Sequence, residues 1–131
     1  SLAGAIAIYG YAAYAPSKFA VTALSEVLRQ ELRPRGIDVS LLLPPDTDTP
    51  QLEEEERERP AGTRAVAGTV PTLSPEQVAG ALLRGLRRRR AWIVPGWRAR
   101  LTLAAARHLP GVTRRVIDRD LARAVPLDRD R

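Results

Sequence analysis

Apolar residues recur at helical spacing between Phe19 and Leu32: positions 20, 21, 24, 27, 28 and 32 share one face, while Lys18, Ser25, Arg29 and Arg33 take the other. Pro16 suits the first turn of such a helix, and Arg33-Pro34-Arg35-Gly36 ends it. The next run, Ile37–Leu43, alternates and then becomes wholly apolar, as a strand entering a buried parallel sheet does. It stops at Pro44-Pro45. Upstream, residues 1–13 are small and apolar with Gly4 and Gly10, the composition of a loop that approaches something closely. Downstream lie the loop Asp46–Pro50, an acidic helical stretch to Arg59, and a Gly/Thr/Ala-rich connection from Pro60 to Leu73. Ser74-Pro75-Glu76-Gln77 opens a second helix with a capping box, expected to run to about Arg89. Ala91–Pro95 reads as a short strand, and the remainder as two short helices broken at Pro110-Gly111. Helix, strand, helix, strand is the rhythm of an α/β fold, here the C-terminal half of a doubly wound parallel-sheet (Rossmann-type) domain.

Composition narrows this further. The 131 residues are one domain's worth of chain, expected to be the C-terminal part of a single larger domain whose Gly-rich N-terminal half is absent, with an Arg-rich helical tail over 97–131. The chain has no cysteine, so it forms neither disulfides nor a thiolate metal site, and a reducing, cytoplasmic setting is expected. His108 has no ligand partner at suitable spacing, and no metal is expected. No apolar run reaches the roughly 18 residues of a membrane span. The net charge of +6 is unevenly spread, with Glu53–Glu56 acidic and most arginines beyond Arg84. No aromatic residues interleave with Arg87–Arg90 as a nucleic-acid stacking platform requires, so no nucleic-acid partner is expected. The tail can pack against the sheet or a second subunit, or lie on an anionic membrane surface with Trp92 and Trp97 against lipid.

Of 21 basic residues only one, Lys18, is a lysine, and it follows Tyr14 by four positions. At helical spacing the two β-carbons stand about 5–6 Å apart on one face. A compact ammonium on a flexible stem can tuck beneath a phenol where a planar guanidinium cannot. Taken alone, Tyr14 could simply pack its ring at a helix start and Lys18 snorkel to solvent. Company changes the weighing: Ser1 in Ser-Leu-Ala-Gly stands thirteen residues before Tyr14, and a strand after the helix ends in Pro44-Pro-Asp-Thr-Asp-Thr-Pro50.

In this order and spacing the chain resembles the short-chain dehydrogenase/reductase family across essentially its whole length, most densely over residues 1–50. Its version of the proline-rich loop is most similar to that of the 3-ketodihydrosphingosine (3-ketosphinganine) reductases. The resemblance implies an NAD(P)-dependent oxidoreductase that reduces a ketone on a largely apolar, long-chain sphingoid or lipid substrate. Tyr14 would be the general acid, Lys18 the cation that favours its phenolate and holds the nicotinamide ribose, and Ser1 the donor to the carbonyl oxygen. The backbone around Pro44, Pro45 and Thr47 would meet the carboxamide, and the Thr49 hydroxyl the cofactor. NADPH is the expected reductant and NADH the alternative. The Gln51–Leu73 stretch takes the place of the family's variable substrate loop, with its glutamates a solvated helix face. Asp46 and Asp48 read as turn and cap residues. A homo-oligomer paired through the Tyr14–Arg33 helix is expected. The residues left another possibility open: a dinucleotide-binding or scaffold relative that keeps the fold without catalysis.

Overall fold

The computed structural model describes residues 1–125; residues 126–131 of the expected Arg-rich tail lie outside them. Helix α1 spans Tyr14–Leu32. A 3-10 turn over Arg33–Arg35 follows, and Gly36 closes it at φ 74°, a left-handed conformation glycine adopts without penalty. Strands β1 (Leu41–Leu42) and β2 (Trp92–Ile93) pair in parallel, Leu41 opposite Trp92 and Leu42 opposite Ile93. β1 is shorter than the Ile37–Leu43 run suggests. A strand needs a partner, and among the described residues only the Ala91–Ile93 edge supplies one: Leu41 N–H donates to Ala91 O and Leu43 N–H to Ile93 O. Ile37, without that edge, stands half exposed.

Between the strands come α2 (Pro50–Glu58), α3 (Ala61–Ala67) and α4 (Pro75–Arg87). α4 begins with the expected capping box: the Ser74 hydroxyl accepts from Gln77 N–H while the Gln77 side chain accepts from Ser74 N–H. α3 falls in the stretch that the sequence pattern assigns to an irregular connection. After β2, α5 (Trp97–His108) and α6 (Pro110–Ala124) fold against each other, and α6 also packs on α3. The break falls at Leu109, with Pro110 as the first residue of α6, where its missing N–H costs nothing.

The resulting architecture is helix-rich around a small parallel two-stranded sheet. Leu2, Leu41, Leu43 and Ala99 form its buried core, with Val70, Trp92, Val94 and Leu103 packed against them. The N-terminal Leu2–Gly4 turn lies on α1 because Gly4 has no side chain. A Cβ there would stand 2.9 Å from Lys18 O, and Thr22 Oγ1 donates to Gly4 O at 2.9 Å. Among the described residues, no helix is long and apolar enough to cross a membrane. α1 leaves Phe19, Val21, Leu24 and Val27 exposed, and the α5–α6 pair leaves Trp97, Leu101 and Val112 exposed.

Candidate active site

Tyr14 is the first residue of α1, and Lys18 lies one turn along the same face. The Lys18 ammonium stands over the Tyr14 ring, 5.0 Å from its centroid, a cation–π distance. On another side the Tyr11 ring meets Tyr14 edge-on, with centroids 5.2 Å apart and planes at 62°. Ser1 reaches this neighbourhood because Leu2 N–H donates to Pro44 O at 3.0 Å, which ties the first turn to the carboxyl end of β1. Ser1 Oγ accepts from Ala3 N–H at 3.1 Å, leaving its O–H available to donate.

Ser1, Tyr11, Tyr14, Pro44, Pro45 and Asp46 line one part of a cavity of about 350 Å³. Most of the rest of its wall is apolar and comes from the loop before α1, from α3 and from α6, with Ile8, Val66 and Ile117 as examples. An apolar chamber with a few convergent polar groups has the character of a small-molecule site. Lys18, Thr47 and Thr49 do not line it.

Thr47 and Thr49 sit on the loop leaving β1. Thr47 bridges Leu73 in parallel, but the hydrogen bonds of that bridge belong to its neighbours: Asp48 N–H donates to Leu73 O, and Leu73 N–H to Asp46 O. The N–H and C=O of Thr47 itself make no backbone hydrogen bond among the described residues. A carboxamide, which both donates and accepts, suits that unspent pair, so the loop fits the nicotinamide end of a dinucleotide. The Thr47 hydroxyl donates to Pro45 O at 3.1 Å. Thr49 is the N-cap of α2, its oxygen accepting from Leu52 N–H at 3.3 Å, which leaves its O–H to donate elsewhere.

Three residues beside the cavity have no counterpart in the sequence reading. Arg59 has a side chain only 4% exposed, and it pairs with Asp46 at 2.8 Å and Glu56 at 2.6 Å. Among the described residues, its buried Nε and Nη2 have no hydrogen-bond partner. Burial works to lower the Arg59 pKa, but Asp46, Tyr11 and Glu56 outweigh it and hold the guanidinium above its usual value. Burial raises the Tyr11 pKa; Arg59 opposes that, and Asp46, Glu55 and Tyr14 reinforce it. Thr63, fully buried, donates its hydroxyl to Tyr9 O at 2.8 Å. Asp46 is thus an ion-pair partner as well as a loop residue. The conjunction of Gly10 and Gly62, two glycines without an obvious turn motif, was the available signal for a close contact here.

Comparison with known proteins bears on this arrangement. A model of the short chain dehydrogenase family matches residues 1–60. The chain is 47% identical to the 3-dehydrosphinganine reductase of Danio rerio over 79 residues, which is 60% of this chain and 24% of that protein. It is 44% identical to the 3-ketodihydrosphingosine reductase of Mus musculus over the same extent, again 60% and 24%. The 3-ketodihydrosphingosine reductase of Dictyostelium discoideum shares 41% over 87 residues, 66% of this chain and 26% of the relative. The chain therefore spans about a quarter of the length of the curated relatives it matches. No solved structure matches it. With the family match over its first 60 residues and this identity to named reductases, the chain is similar to the short chain dehydrogenases and, among them, to the 3-ketodihydrosphingosine reductases.

Proposed function

We propose that the protein containing this chain reduces a ketone on a long, largely apolar sphingoid-type substrate to a secondary alcohol, with Tyr14 as proton donor. The observation that carries the reading is the Tyr14 phenol at the cavity, with the Lys18 ammonium over its ring and Ser1 on the same cavity. NADPH, the reductant the relatives' family implies, supplies the hydride to the carbonyl carbon when bound. Lys18 and Thr49 offer N–H and O–H donors to its nicotinamide end, and Thr47 offers its unspent backbone pair.

The residues then divide the work. The Ser1 and Tyr14 hydroxyls donate to the carbonyl oxygen, where negative charge grows as the carbon is reduced. Tyr14 gives its proton to that oxygen, so the ketone gains one hydride and one proton overall. The Lys18 ammonium over the Tyr14 ring offers a positive charge beside the group that gives up the proton. The apolar wall from α3 and α6 suits an alkyl chain. In this reading the chain is the C-terminal half of a doubly wound domain, and residues beyond this chain hold the pyrophosphate.

The test is isotopic. The full-length protein, given NADPH deuterated at C4 and a long-chain 3-ketone, transfers one deuterium to the carbinol carbon, read by mass spectrometry. Cofactor binding with no ketone reduced across a panel of chain lengths would instead favour a non-catalytic relative.

A further inference from the structure

The proton donor stands at a helix end that does not hold itself. The N-cap of α1 is Ala13, which makes no side-chain cap hydrogen bond, so the first turn lacks the acceptor side chain that commonly holds a helix start. Helix ends of this kind fray readily. The bonds that do fix the turn run backwards into the preceding loop: Ala15 N–H donates to Tyr11 O at 2.8 Å, and Tyr11 N–H to Ile8 O at 3.2 Å. The position of Tyr14 therefore depends on what grips residues 8–11.

The grip comes from the joint between α2 and α3. Thr63 is fully buried, and its hydroxyl donates to Tyr9 O at 2.8 Å. Gly10 has φ 84°, and a Cβ there would collide with Thr63 Oγ1. Gly62 lies against the Tyr9 ring, where a Cβ would come within 2.7 Å of Cδ1. The Arg59 guanidinium acts electrostatically on the Tyr11 phenol, whose ring in turn abuts Tyr14. The contact is close on both sides, with glycine at each position where a side chain would force the two segments apart.

From this we infer that the Arg59–Thr63 segment is a clamp on the Tyr9–Tyr11 loop, and that Thr63 is a positioning residue which sets where the Tyr14 phenol stands. The inference rests on the reading of Tyr14 as proton donor. Its consequence for catalysis follows from α3 itself. Val66 and Ala67, one turn beyond Thr63, form part of the cavity wall. A substrate pressing on that wall presses on the same short helix that holds Tyr9. Substrate occupancy and proton-donor placement are thereby linked through a single hydroxyl.

Thr63→Val removes the hydroxyl at nearly constant volume, and Thr63→Ser retains it. In the full-length protein, Thr63→Val should lower kcat for a long-chain 3-ketone about ten- to a hundredfold, the range that small misplacements of reacting groups produce. NADPH affinity should change less than about twofold, because the Thr63 hydroxyl bonds Tyr9 O while the cofactor loop is held by Arg59, which the substitution leaves in place, and Thr63→Ser should restore kcat. Hydrogen exchange at the Tyr11 and Ala15 amides should quicken in Thr63→Val and not in Thr63→Ser. Unchanged kcat and unchanged exchange in folded Thr63→Val overturn the inference, as does an equal loss in Thr63→Ser. If Thr63→Val does not fold, Gly62→Ala pushes α3 off the Tyr9 ring with the hydroxyl intact; wild-type kcat and exchange there overturn it equally. A wild-type protein that reduces no ketone defeats the proton-donor reading alone, and the exchange measurement still decides the clamp.

Discussion

Arg59 offers the sharpest test of the energetics around the cavity, because its two ways of being broken should differ in cost. Its side chain is 4% exposed, against 32% for Asp46 and 45% for Glu56. Asp46→Ala strands a buried cation which, among the described residues, keeps one ion-pair partner and has two nitrogens without a hydrogen bond. Removing one member of a wholly buried pair costs about 3–5 kcal/mol. Here Asp46 is a third exposed and Glu56 remains, so about 2–3 kcal/mol is expected, nearer the worth of a charged hydrogen bond. Arg59→Met removes the buried charge itself and returns both carboxylates to water, at a cost expected to lie within about 1 kcal/mol. The double variant should resemble Arg59→Met alone. Urea denaturation of the full-length protein, followed by tryptophan fluorescence, measures all three against wild type. Against a total stability of about 5–15 kcal/mol the difference is readily resolved. An Arg59→Met variant as unstable as Asp46→Ala would refute the reasoning, because it would mean the pair stabilises the fold rather than merely neutralising a buried ion.

The remaining predictions concern Glu26. Its carboxyl pKa is lowered by the hydrogen bond from the Trp92 indole N–H, then by that from Arg29. A folded-state pKa below the unfolded one adds stability above the ordinary carboxylate value, and that stability is lost as pH falls through the lower folded value. Glu26→Gln should therefore lower stability near neutrality, and flatten the acid limb below about pH 4.5, where the wild type loses that same contribution. Trp92→Phe, which deletes the indole donor, should flatten the same limb; a limb as steep as wild type in both variants would contradict the assignment.

Much of the architecture could be read from the chain, and the parts that could not have physical reasons. The Tyr14–Leu32 helix, its stop at Gly36, the Ser74–Gln77 capping box and the break before Pro110 all follow from local chemistry. α3 did not, because Ala61–Ala67 carries no apolar stripe and owes its place to long-range contacts such as Thr63 with Tyr9. The strand over Ile37–Leu43 shrank to Leu41–Leu42 because pairing, unlike alternation, depends on a neighbour. At the site, the spacing of Tyr14 and Lys18 was legible as one face of a helix. The Asp46–Arg59 pair was not, since two charges thirteen residues apart leave no periodic signature. The contribution of α6 to the cavity wall was equally hidden: valines at 112 and 116 serve a chamber or a lipid surface with the same pattern.

The account turns on a single hydroxyl, and Tyr14→Phe removes only that. The decisive measurement is turnover of a long-chain 3-ketone by full-length Tyr14→Phe, with NADPH binding titrated on the same preparation. The expected result is turnover lowered by at least about a hundredfold, the scale of lost acid catalysis, with NADPH affinity within about threefold of wild type. Wild-type turnover from the phenylalanine variant would contradict it.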